Sequence, residues 1–103
     1  MIKEISSSEL KELIEKNEAK VVDCREQFER DQSYIPGTIF IPMNAIPSHL
    51  DELKGEKMIV FTCRTGNRSY HVCQWLKQQQ IENVANHTGG ITDWVQNGYD
   101  ITR

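Results

Sequence analysis

The stretch KMIVFTCRTGNRSYHVCQWL, Lys57 to Leu76, decides the fold. Met58 to Cys63 is a nearly unbroken apolar run, the pattern of a strand buried on both faces of a parallel sheet. Val72, Trp75 and Leu76 then fall at i, i+3 and i+4, which predicts a helix over Ser69 to Gln80. Between strand and helix, Cys63, Arg64, Gly66 and Arg68 crowd into one turn.

The same alternation extends in both directions. KEIS is a short strand candidate, and Ser6-Ser7-Ser8-Glu9 has the form of a capping box ahead of a helix whose apolar face is Leu10, Leu13 and Ile14. KVVDCR reads as a strand ending in polar residues and EQFERD as a helical turn. Thr38 to Ile41 is a strand candidate bracketed by Pro36-Gly37 and Pro42. AIPSHLDELKG predicts a helix with Pro47 in its first turn and Gly55 as its stop. NVANH is a last strand, and ITDWVQNG a short helix ending at Gly98. No repeat or linker interrupts the chain, so residues 1–103 are expected to form one α/β domain. Its expected architecture is three layers, with a central parallel sheet of about five strands and helices on both faces. In such sheets the functional crevice lies at the carboxyl ends of the strands, where Cys63 stands.

Composition narrows the function. The chain has 103 residues, is 38% hydrophobic and 26% charged, and carries a net charge of −3, so it offers nucleic acid no electrostatic footprint. Its apolar runs are too short for a membrane span and its N-terminus is too charged for a signal peptide, which leads us to expect a cytoplasmic protein. Cys24, Cys63 and Cys73 form no C-x-x-C pair and lack zinc-like spacing. No metal site is therefore expected, and thiol chemistry is the stronger use.

The loop suits such chemistry. A strand-loop-helix turn places Cys63 at the mouth of a curl of backbone N–H groups near a helix N-terminus, an arrangement that attracts anions. Gly66 can take a positive φ that lets the amides converge, and Ser69 can cap the helix behind. Arg64 and Arg68 add forked donors for an oxyanion. Lowering a thiol pKa from about 8.5 to about 6.5 raises the thiolate fraction at pH 7 roughly 25-fold, but nucleophilicity falls roughly 8-fold, leaving about 3-fold. The loop's main value must be to align an anionic substrate and stabilise a charged covalent intermediate. The competing reading of Cys63 is a buried core residue followed by a basic loop.

These segments resemble the rhodanese family, specifically its single-domain members. CRTGNRS matches the family's active-site loop, VDCRE its Asp-x-Arg segment, YIPGTIFIP its Ile-Pro-Gly-Ala segment, and TGGITDWVQNGYD its Gly-Gly-x-x-x-Trp segment. The resemblance implies a thiosulfate sulfurtransferase type of enzyme without an organic cofactor. Cys63 would take a sulfane sulfur from thiosulfate or a persulfide, become a persulfide itself, and pass the sulfur to cyanide or a thiol. By matching positions Arg64, Thr65, Gly66, Asn67, Arg68 and Ser69 would form the cradle, with Arg68 and Arg64 orienting the donor's anionic end. Asp23 and Arg25 would be structural supports. Two departures stand out: Tyr34 replaces a usual histidine, and Cys24 a usually aliphatic residue. Related phosphatases resemble C-x5-R, a longer loop; the four residues between Cys63 and Arg68 suit the smaller sulfur and disfavour phosphatase or arsenate reductase activity.

Two rival roles remain. One is a sulfur-carrier module loaded by a sulfur-relay protein partner; the other is a redox-regulatory device in which Cys24 resolves Cys63 as a disulfide. Cys24 and Cys73 otherwise read as core fillers, and His71 as a solvated or capping residue near the loop. His49 and His87 have no partner visible in sequence, while Gly89, Gly90, Trp94 and Tyr99 read as turn and packing residues.

Overall fold

The structure is a computed structural model that describes residues 1–55 and 57–103. In chain order it contains β1 (Lys3–Ile5), α1 (Ser7–Glu15), β2 (Ala19–Asp23), α2 (Gln27–Gln32) and β3 (Ile39–Phe40). A 3-10 segment (Met43–His49) then runs into α3 (Leu50–Leu53), followed by β4 (Met58–Thr62), α4 (Asn67–Gln78), β5 (Val84–His87) and α5 (Gly90–Gln96). The five strands pair in parallel in the order β1-β5-β4-β2-β3, so β4, with its cysteine just beyond, is the central strand.

Alternation along these strands fills both faces. Val22, Ile59, Phe61 and Cys63 face one core, closed by Ile46, Leu53, Val72, Cys73 and Leu76 from the 3-10 segment, α3 and α4. Val21, Val60 and Ala85 face the other, closed by Leu10 of α1 and Ile91 and Trp94 of α5. The expected three layers follow from this two-sided burial. Among the described residues no helix is long and apolar enough to cross a membrane.

Local chemistry explains most boundaries. Ser6 caps α1 as its sequence predicts, its Oγ accepting from the Glu9 amide while the Glu9 carboxylate accepts from the Ser6 amide. The helix expected over 45–55 is instead 3-10 up to His49, with one α-turn after it. Pro47 supplies no amide and its ring crowds the carbonyl four residues back, which delays the α-helix. β3 is shorter than Thr38 to Ile41 because the Thr38 hydroxyl turns inward to the Ile35 carbonyl at 2.6 Å and Pro42 follows. α4 begins two residues before Ser69, so the N-cap is Gly66 at φ 94° and Ser69 lies inside the first turn.

Candidate active site

Cys63 follows directly on β4, at the carboxyl edge of the sheet centre, and the chain curls back over it. The left-handed conformation of Gly66 closes this curl; a Cβ there would stand 3.0 Å from Gly89 N and 3.1 Å from the His87 carbonyl. The amides of Gly66 and Ser69 point at Cys63 Sγ from 3.2 and 3.4 Å, and the Ser69 hydroxyl lies 3.3 Å from it. Ser69 has one hydroxyl proton and a second acceptor, Asn86 Oδ1 at 2.5 Å, so the sulfur and the amide oxygen compete for it. The other end of Asn86 donates to the Gly66 carbonyl at 3.1 Å and to Glu4 Oε1 at 3.0 Å, which fixes its orientation and ties the loop to β1 and β5. Asn86 was not among the sequence candidates, although a polar residue inside the buried NVANH strand was its visible signal.

Electrostatics at the sulfur are a contest. Burial raises the thiol pKa, while the Ser69 hydroxyl and the amides of Ser69, Gly66 and Thr65 lower it, and the lowering prevails. The residue is only 1% exposed, so almost none of it is open to solvent.

The loop is also held from behind. Ile91 N donates to the Cys63 carbonyl at 2.9 Å and Thr92 N to the Arg64 carbonyl at 3.0 Å, clamping the start of the loop to the first turn of α5. Gly90, at φ 58°, permits that contact: a Cβ would meet the Cys63 carbonyl oxygen at 2.4 Å. Sequence reading placed Gly90 in a turn but did not show that it abuts the Cys63 loop.

The arginines differ from one another. Arg25 is buried and bidentate to Asp23, at 3.0 and 2.9 Å, and also donates to the Ser33 carbonyl; Arg30 reaches the same carboxylate at 3.2 Å. Arg68, the residue expected to face an anionic donor, grips Glu29 with two bonds of 2.7 and 2.9 Å. That pairing holds the Glu29 carboxyl down at about 2. Arg64 is exposed and, among the described residues, its side chain has no hydrogen-bond or ion-pair partner; it lines an open cleft of about 570 Å³ with Phe28, Glu29, Ile91 and Val95. Thr65 and Asn67 have exposed side chains, so the structure gives them backbone positions in the curl and no side-chain contact with the sulfur.

The remaining candidates sort by burial. Cys24 N donates to the Thr62 carbonyl beside Cys63, and burial first, then the neighbouring Cys63, pushes its thiol far above the usual range, leaving it protonated at neutral pH. Cys73 is fully buried in the α4 core with its thiol pushed up to about 12 by burial. His71 is exposed and bonded to Gln74, and His49 pairs with Glu52. Trp94 packs in the core against Tyr99 and does not line the cleft beside the loop.

His87, which showed no partner in sequence, is fully buried between Thr62 and Ser7, each 2.8 Å from a ring nitrogen. Ser7 donates its only proton to Asp93 at 2.6 Å, so His87 must donate from Nε2 and accept at Nδ1 from Thr62. Burial lowers its pKa to about 4 against the opposing charge of Asp93. The unfolded chain therefore binds a proton near pH 6.5 that the folded chain refuses, and stability falls as pH drops from about 7 toward 4, by about 3 kcal/mol in all. An imidazole NMR titration checks this: His87 should remain a neutral Nε2–H tautomer at pH 5.5, and protonation there would contradict the assignment.

The chain is thus an α/β domain that presents a buried cysteine sulfur to converging amides at the end of its central strand. The rhodanese-like domain family matches residues 6–97. A sulfurtransferase of Allochromatium vinosum is 36% identical over 102 residues, covering 98% of this chain and 95% of its own. YtwF of Bacillus subtilis, provisionally named a sulfurtransferase, is 42% identical over 94 residues, covering 90% of each chain. Among solved structures, a rhodanese-related protein from Thermoplasma volcanium superposes with a TM-score of 0.86 at 30% identity, covering 97% of each chain. The chain belongs to the rhodanese-like sulfurtransferase family.

Proposed function

We propose that residues 1–103 act as one sulfurtransferase domain whose nucleophile is Cys63, moving a sulfane sulfur from thiosulfate or a persulfide to cyanide or a thiol. In the first half-reaction the Cys63 thiolate attacks the donor's sulfane sulfur. A new S–S bond forms, the donor's S–S bond breaks, and sulfite or a thiolate leaves. In the second, the acceptor attacks the outer sulfur and Cys63 departs as a thiolate. The observation that carries this reading is the convergence of the Gly66 and Ser69 amides and the Ser69 hydroxyl on one sulfur. Arg64 to Ser69 hold the persulfide, and Asp23 and Arg25 brace the neighbouring strand end. This chemistry belongs in the cytoplasm, where thiols stay reduced.

Turnover with a sulfane donor and either cyanide or a thiol tests it. Cys63→Ser should fall to the uncatalysed rate, and turnover surviving in that variant would contradict the assignment. Slow turnover with small donors but rapid loading from a persulfidated protein would make the chain a sulfur carrier instead.

A further inference from the structure

We propose that Glu29 sets donor selectivity at this site, favouring a sulfane sulfur carried on an organic thiol over one carried on an inorganic oxyanion such as thiosulfate. The proposal rests on the sulfurtransferase reading above and concerns which donor that site accepts.

The transferred sulfur must enter the curl of the loop, so whatever is bonded to it lies one S–S bond further out, at the loop's mouth. In thiosulfate that neighbour is a sulfonate with its charge concentrated there. The cation suited to it is Arg68, whose charge acts on Cys63 and whose guanidinium can take an oxyanion bidentately. That fork is already filled by Glu29, through both of its carboxylate oxygens. The carboxylate is ionised down to about pH 2, so the pair persists across any working pH. A sulfonate entering there must displace Glu29 or sit against its negative charge, a repulsive element of the kind that creates specificity. Of the other two arginines, Arg25 is committed to Asp23 and the Ser33 carbonyl, and Arg64, though its side chain is unpaired among the described residues, is exposed in the open cleft, where water weakens its hold on a charge.

An organic persulfide meets none of this. Beside the transferred sulfur it carries a second sulfur and an uncharged carbon, and any carboxylate lies several bonds away. The cleft next to the loop fits such a body: it is about 570 Å³, far larger than an inorganic oxyanion needs, and includes Phe28, Ile91 and Val95. Phe28 and Val95 are exposed, at 64% and 50%, an unusual setting for large apolar side chains on one small face. Arg64, its side chain unpaired among the described residues, stands in the same cleft to meet a distant carboxylate. In the balanced step, the Cys63 thiolate attacks the outer sulfur of R–S–SH, the R–S to SH bond breaks, and RS⁻ leaves as the Cys63 persulfide forms.

The experiment measures rates of Cys63 persulfide formation from thiosulfate and from glutathione persulfide, in the wild type, Glu29→Gln, Arg68→Gln and the double variant. The ratio of the two rates is read, because both donors sample the same folded fraction. Any loss of helix α2, whose first turn also uses the Glu29 carboxylate, therefore cancels. Glu29→Gln should raise the thiosulfate-to-organic ratio about tenfold, the worth of one released charge-assisted contact. Glu29→Ala should move it in the same direction. The gain should vanish when Arg68 is also replaced. An unchanged ratio, or a gain that persists without Arg68, overturns the proposal. Failure of both donors to load any of the proteins overturns the underlying sulfurtransferase reading itself.

Discussion

Gly90→Ala should destabilise the fold by about 3–5 kcal/mol and cost at least about 100-fold in sulfur loading. The residue sits at φ 58°, a conformation that costs about 1–2 kcal/mol once a Cβ is present. The larger part is collision. The added carbon would lie 2.4 Å from the Cys63 carbonyl oxygen and 2.6 Å from both the carbonyl carbon and oxygen of Arg64. All three are backbone atoms, so relief requires the reactive loop or the α5 turn to move. Such movement breaks the Ile91 and Thr92 bonds that hold the loop and misaims its amides. Gly98→Ala is the internal control. Its φ is 77° but nothing lies within 4 Å of the would-be Cβ, so it should cost only the conformational part, about 1–2 kcal/mol, and leave loading intact. Urea denaturation and loading rates for the pair decide the matter; similar losses for both would show that conformational strain alone, not contact with the loop, governs Gly90.

Asp23→Ala should cost a comparable 3–5 kcal/mol, about what is lost when one partner of a buried ion pair is removed. Asp23 and Arg25 are 2% and 5% exposed, and Asp23 accepts from the Arg25 backbone amide, the Arg25 side chain and Arg30. Removing it strands one buried guanidinium and weakens the hold on a second, directly beside the strand end that carries Cys24. Denaturant titration checks the size, and a loss below about 1 kcal/mol would mean that water reaches Arg25 freely. Asp23→Asn should fall between the wild type and the alanine variant, because an amide oxygen still accepts but carries no charge.

How far the site could be read from the sequence follows the distance between partners along the chain. The loop from Cys63 to Ser69 was legible because its strand, glycine and helix are contiguous, and the two-sided burial of β4 was legible from an apolar run. The pairing of Asp23 with Arg25 joins residues two apart. The fork of Arg68 on Glu29 spans 39 positions, and the contact of Ser69 with Asn86 spans 17, so both depend on the parallel order of the sheet rather than on any local pattern. Sequence reading therefore placed Arg68 in the loop beside Cys63 but gave no sign of its fork on Glu29. Ser69 likewise reads as a helix cap, since serine favours that position, but Gly66 takes the cap and frees the hydroxyl to face the sulfur. His87 was silent because a buried imidazole relay needs Ser7 and Asp93, 80 and 6 positions away, to be recognised.

Intact mass measurement after incubation with a sulfane donor tests most directly the claim that Cys63 carries the sulfur. The wild type should gain one sulfur, about 32 Da, removable by cyanide or a thiol, and Cys63→Ser should gain none. An unchanged wild-type mass with both thiosulfate and an organic persulfide, or an equal gain in Cys63→Ser, would contradict the account.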